Sequence, residues 1–207
     1  MLRILIFLMF ACVGHSQILP AQQGVHYKKS AFGGGAVSDT WDSSTKSSCI
    51  TLSNSNLTSL ESNCSSNTWH QVYGSTGVSS GIKEWEITID AWDNTSNTFE
   101  VMLGIAKLRN VNINNGSSAV DNGSYCYILE NGKKWEVSGS GDKTLSNYGA
   151  SYAVGDVIKI SLNMDTNQLT FYKNGVSQGV AFTVSNGTYY LVASFVADTN
   201  AQSTITG

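Results

Sequence analysis

The chain has 207 residues, of which 41% are hydrophobic and 13% charged, with a formal net charge of −3. That length supports one domain with a sizeable core and excludes two large ones. The acidic balance, without a basic cluster, speaks against a nucleic-acid partner. A single proline among many Ser, Thr, Asn and Gly residues fits short strands joined by polar turns.

The N-terminus reads as a secretory signal. Arg3 precedes the apolar run ILIFLMFACV, which is too short to span a bilayer. GHSQ then offers Gly14 and Ser16 as the small residues of a cleavage site before Gln17. Residues 1–16 are therefore set apart as a signal peptide, and the mature protein is expected to be extracellular, with no stable membrane insertion after cleavage. Residues 17–38, which contain a triple glycine, show no sustained period and read as a linker or N-terminal arm. Residues 39–207 make up the domain.

An oxidising compartment permits disulfides, and three cysteines remain after the signal. Cys49 and Cys64 flank a hairpin, CITLSNSNLTSL, and are the expected pair; such a loop closure contributes roughly 3 kcal/mol. Cys126, in SYCYIL, reads as a small buried side chain. His26 and His70 are isolated, no cysteine or histidine pair has zinc spacing, and no metal or cofactor is expected.

Strand patterns follow in order. TWHQVYGS is one. GIKEWEITIDAWD, Gly81 to Asp93, is the most informative, because it brings the carboxylates Glu86, Asp90 and Asp93 close together. Successive side chains of a strand face opposite ways, so Trp85, Ile87 and Ile89 share an inner face and Glu86, Thr88 and Asp90 an outer one. Glu86 and Asp90 would stand about 13 Å apart, whereas paired glycosidase carboxylates stand roughly 5–10 Å apart. The acids read as a solvated strand face. No Gly-x-Ser-x-Gly elbow or favourable Ser/His or Cys/His pairing appears, and no catalytic residues are assigned.

FEVMLGIA suits a strand buried on both sides. SYCYILENGKKWEV holds two strands around Asn131-Gly132, a tight-turn signal. GDVIKISLNM alternates, DTNQ turns, LTFYKNGV returns to a second tight turn at Asn174-Gly175, and QGVAFTV, YYLVASFV and STITG complete the series. With no long amphipathic helix in sight, the expected architecture is an all-β, antiparallel two-sheet β-sandwich.

Three of these stretches, in order, resemble the SPRY domain. Gly81 with Trp85-Glu86 matches its first strand motif, Gly104-Ile105-Ala106 its second, and Gly155-Asp156, Asp165, Phe171 and Asn174-Gly175 its third. The resemblance covers Trp41 to the C-terminus. It departs at Gln168, where a glycine is usual, and in AQSTITG, which lacks the Asn-Phe-Gly near the last strand; either an early stop or a frayed edge is expected there. No sequence resembling the PRY extension precedes it. The resemblance implies a SPRY/concanavalin A-like jelly roll and a non-catalytic module that recognises a protein or peptide through loops at one end of the sandwich. Secretion is unusual for that family.

The corresponding loops are Ala91–Thr98, Lys107–Tyr125 and Gly139–Ser151. Trp92 is either an exposed aromatic anchor, a type enriched at binding hot spots, or a cap on the sandwich end. Asp93 lies beside it. Arg109 either pairs with an acid or is solvated, and Tyr125 stands at the loop's end. A carbohydrate-binding module, with Trp92 and Tyr125 stacking on a glycan, is the first alternative; a structural surface or particle-coat protein is the second. N-glycosylation acceptor motifs occur at Asn56, Asn63, Asn94, Asn115, Asn122 and Asn186.

Overall fold

The computed structural model describes residues 39–62, 64, 69–93, 101–111, 122–138, 142–196 and 200–207. Residues 1–38, read from the sequence as signal and arm, lie outside them. Within the described residues there is no helix, and the chain forms β1 (Trp41–Lys46), β2 (Ile50–Ser53), β3 (Thr58–Glu61), β4 (Trp69–Gly74), β5 (Ile82–Ala91), β6 (Val101–Ala106), β7 (Ser124–Ile128), β8 (Lys133–Val137), β9 (Lys143–Asn147), β10 (Val157–Asn163), β11 (Gln168–Lys173), β12 (Val176–Thr183), β13 (Tyr190–Val196) and β14 (Gln202–Ile205). They pair into two antiparallel sheets. One has the order β1-β4-β13-β6-β7-β8-β9, the other β12-β11-β10-β5-β14-β3-β2. The expected all-β sandwich is what the chain builds.

The period-2 pattern places the core between the sheets. Trp85, Ile87 and Ile89 of β5 join Ile158, Ile160 and Leu162 of β10 and Leu169 and Phe171 of β11, facing Leu103, Ile105, Tyr127, Leu191 and Phe195 of the other sheet. That other sheet is also apolar on its outer face, where Tyr73, Met102, Cys126, Ile128 and Val192 form a second cluster with Trp69, Val111 and Trp135 against it. Hence every residue of β6 and β7 is buried. Gly104 has its role there: a Cβ would sit 2.0 Å from the Tyr125 carbonyl oxygen on β7.

The turns follow their residues. Asn174 and Gly175 both have positive φ, 49° and 80°, as a two-residue hairpin turn requires. At the Asp165 turn the left-handed position is taken by Asn167, with φ 55°. Gln168 then begins β11 in extended conformation, so a glycine is not needed at that position. Two elements differ from expectation. Lys143–Asn147, inside the segment read as a loop, is edge strand β9, because it pairs with Lys133–Val137 residue for residue. The C-terminal STITG is no frayed edge either: β14 lies between β5 and β3, with Ser203 and Ile205 buried.

Candidate functional site

The outer face of β5 comes first, because its carboxylates raised the question of catalysis. Glu84, Glu86 and Asp90 are exposed while Trp85, Ile87 and Ile89 are buried. Lys159, on the neighbouring strand, lies 3.3 Å from Glu84 and stacks 4.4 Å from the Tyr172 ring centroid. Thr204 Oγ1 donates to Asp90 at 2.5 Å. These acids are the polar side of a half-buried strand, each opposite an ordinary sheet neighbour.

The strand directions separate the remaining candidates. Trp92 and Asp93 follow the end of β5, beside the start of β6 and the end of β13; there Asn200 Nδ2 donates to Asp93 Oδ2 at 2.9 Å. Arg109 follows the end of β6, beside the start of β13, since Ala106 pairs with Tyr190 and Val101 with Phe195. The six residues of β6 lie between, about 20 Å of extended chain. Trp92 and Asp93, after β5, and Lys107–Val111, after β6, therefore lie at opposite ends of the sandwich, so Trp92 and Arg109 do not belong to one end as expected. A strand that crosses the sandwich once must deliver its two flanking loops to different ends.

Each residue can then be placed. Trp92 is half-buried and packs against the main core, which fits a cap. Tyr125 is 5% exposed, inside the sandwich, with ring centroids 5.2 Å from Phe182 and 6.1 Å from Tyr189. Its place in a recognition loop is corrected: the apolar period of β7 carries it inward. Burial pushes its hydroxyl pKa up, and Tyr189 and Glu136 nearby push the same way. Arg109 is paired, with Nη1 2.7 Å from Asp42 Oδ2 and its guanidinium 4.3 Å from the Tyr190 ring centroid. Burial alone would raise the Asp42 carboxyl. Hydrogen bonds from Ser44, Thr45 and Arg109 outweigh it and bring the carboxyl down to about 2.

Around Arg109 the neighbouring residues are tied down by a lysine side chain and by a backbone carbonyl. Lys107 Nζ donates to Ser185 Oγ at 2.7 Å and to the Asn186 carbonyl at 2.8 Å. The Asn110 carbonyl accepts from the Tyr73 hydroxyl at 2.8 Å. Leu108, between these anchors, is 48% exposed. On the other side of Tyr190, Gly77 lies so close that a Cβ would fall 2.9 Å from the ring. Gly77, Tyr190, Arg109 and Leu108 thus belong to one end, on a frame of ion pair, ring stacking and hydrogen bonds. The sequence reading passed over Leu108 and Tyr190; an apolar residue between two cations in a polar loop was the available signal.

A family model described as SPRY domain matches residues 83–207, well over half of the chain. The chain belongs to the SPRY domain family. Three solved structures share its fold. The SPRY domain of human HERC1 is 20% identical, with a TM-score of 0.64 over 80% of this chain and 96% of that one. The TRIM65 PSpry domain is 16% identical, with a TM-score of 0.59 over 82% and 90%. A human SPRY domain is 15% identical, with a TM-score of 0.54 over 76% and 94%. At such identities the likeness speaks for the fold alone.

In this SPRY domain Cys49 and Cys64 form a disulfide with Cα atoms 5.4 Å apart, as expected from the flanked hairpin. Cys126 is a buried free thiol, and burial pushes its pKa well up, away from thiolate reactivity. Of the glycosylation motifs, Asn122 and Asn186 are exposed and Asn56 is half-buried in the β2–β3 turn with φ 64°. Asn63, Asn94 and Asn115 lie outside the described residues.

Proposed function

We propose that this chain is a secreted, non-catalytic recognition module that binds a protein or peptide at the end of the sandwich carrying Leu108, Arg109 and Tyr190. SPRY domains generally act as protein–protein interaction modules, and family membership supports that class for this chain. The observation that carries the choice of end is the clamp on Arg109: a loop fastened at Lys107, Arg109 and Asn110 presents Leu108 outward with little backbone freedom left to lose on binding. Arg109 and Tyr190 are of the residue types enriched at interface hot spots, and Leu108 adds an exposed apolar side chain beside them. Secretion is supported by the signal-like N-terminus and by the disulfide, which persists in oxidising compartments. The glycan alternative depended on Trp92 and Tyr125 as stacking faces, and one is buried while the other packs against the core.

The test is capture from the source organism's extracellular extract by wild type, Leu108→Asp, and Val180→Asp on edge strand β12. A protein retained by wild type and Val180→Asp, and lost by Leu108→Asp, is the expected outcome. Equal retention by all three would place the contact elsewhere. Elution by a competing sugar would replace the protein reading with a lectin.

A further inference from the structure

Cys49, Cys64 and His70 come from three separate segments: the β1–β2 connection, the β3–β4 connection and β4 itself. Tertiary structure brings them together, so that both sulfurs and an imidazole nitrogen all lie within 4.8 Å of one another. Cys64 and His70 are buried and Cys49 is partly exposed, which leaves one side open to solvent. In the oxidised protein the sulfurs are spent on each other. Hydrogen bonds apart from that link tie together the segments that carry Cys49 and His70. Ser47 N–H donates to the Gln71 carbonyl at 2.8 Å, Gln71 N–H donates to Ser47 Oγ at 3.0 Å, and Ile50 N–H donates to the Ser47 carbonyl at 3.1 Å. Ser62 N–H donates to the Cys49 carbonyl at 3.3 Å, and β2 is paired with β3 up to Ile50 and Glu61. Once the cross-link is reduced, these bonds hold Cys49 and the start of β4 in place, and Cys64 follows β3 by three residues.

We propose that this cluster is a redox-gated metal site: a disulfide when oxidised, and a three-ligand site for a zinc-class divalent cation when a small thiol reduces it. Two equivalents of the small thiol convert the cystine to two cysteine thiols and leave as their own disulfide. Binding of Zn2+ then releases the two thiol protons to solvent. Two thiolates cancel the charge of the ion, and neutral His70 adds the third ligand. Zinc–sulfur bonds of about 2.3 Å and zinc–nitrogen bonds of about 2.0 Å imply ligand atoms roughly 3.5–3.8 Å apart. Separation of the two sulfurs to that spacing is the movement the site requires, and the ligand atoms now lie within 4.8 Å of one another. Water takes the fourth position. In an oxidising compartment the cross-linked form prevails, and in a reducing one the metal form does. This inference does not rest on the recognition reading.

The experiment uses the full chain, reduced with a phosphine and desalted under argon, then titrated with Co2+ alone and with Zn2+ against a chromophoric chelator. One equivalent of metal, a thiolate-to-cobalt charge-transfer band and a Zn2+-dependent rise in the unfolding midpoint of the reduced protein are expected. The oxidised protein should show none of these. His70→Gln, which keeps both thiols, should bind at least tenfold more weakly. Absence of the charge-transfer band, an unchanged affinity in His70→Gln, or equal binding by the oxidised protein would each overturn the site. Should reduction abolish the near-ultraviolet circular dichroism, Zn2+ must restore it in the wild type; failure to do so also overturns the site.

Discussion

Arg109 sits over the Tyr190 ring, its guanidinium 4.3 Å from the ring centroid, while one nitrogen of the same group holds Asp42. A guanidinium carries several N–H donors in one plane, so the ring contact and the ion pair use different parts of the same group. Arg109→Lys should therefore keep the fold and raise the Asp42 carboxyl only modestly from about 2, since Ser44 and Thr45 still donate to it. Carboxyl carbon shifts followed through an acid titration will show it; an unmoved Asp42 would remove the guanidinium from the clamp.

Acid should weaken this domain in a defined window. The folded-state value of Asp42 is depressed to about 2 from 3.8, and that of Asp156 is also depressed, where hydrogen bonds from Asn174, Ala153 and Lys173 overcome its burial. Depressed carboxylates add stability that is present above their unfolded values and is lost as pH falls through their folded ones. The thermal midpoint should hold steady down to about pH 4 and fall from there to about pH 2. Asp42→Asn should flatten that fall; an identical profile in the variant would acquit Asp42.

Gly104→Ala should cost on the order of 3 kcal/mol, because overpacking here meets backbone that cannot yield. The added methyl would sit 2.0 Å from the Tyr125 carbonyl oxygen and 2.8 Å from Cys126 Cα. Gly81→Ala, where nothing lies within 4 Å but φ is +69°, should cost only about 1 kcal/mol. Denaturant midpoints of the two variants provide the comparison, and equal losses would count against close strand approach as the reason for Gly104.

Breaking the Cys49–Cys64 link by Cys49→Ser in metal-free buffer should lower stability by about 3 kcal/mol, from the 15-residue separation it closes. Urea unfolding with an unchanged m-value would attribute the loss to stability alone.

Deleting residues 202–207 should abolish cooperative unfolding. β14 bonds to β5 on one side and β3 on the other, and Glu86 N–H donates to the Gly207 carbonyl at 2.7 Å. A single sharp transition in the truncated chain would show that the sheet closes without its C-terminal strand.

Much of the fold was readable along the chain because a half-buried strand writes its two faces alternately. Trp85, Ile87 and Ile89 against Glu86 and Asp90 is such a record, and the Asn174-Gly175 turn is fixed by φ preferences local to two residues. Strands β1 and β9 left no such record. Trp41–Lys46 and Lys143–Asn147 are polar edge segments, and only a neighbour's backbone makes them strands.

The amino-acid order by itself determined the sandwich, the family motifs and the pair of cysteines flanking one hairpin, since each depends on contacts or conformations close in sequence. Tertiary structure alone decided which end of the sandwich each loop joins, that Tyr125 turns inward, that Arg109 meets Asp42 and Tyr190, and that His70 stands beside the disulfide. Those relationships join residues far apart in the chain through the pairing order of fourteen strands, and no local period encodes which strands will be neighbours.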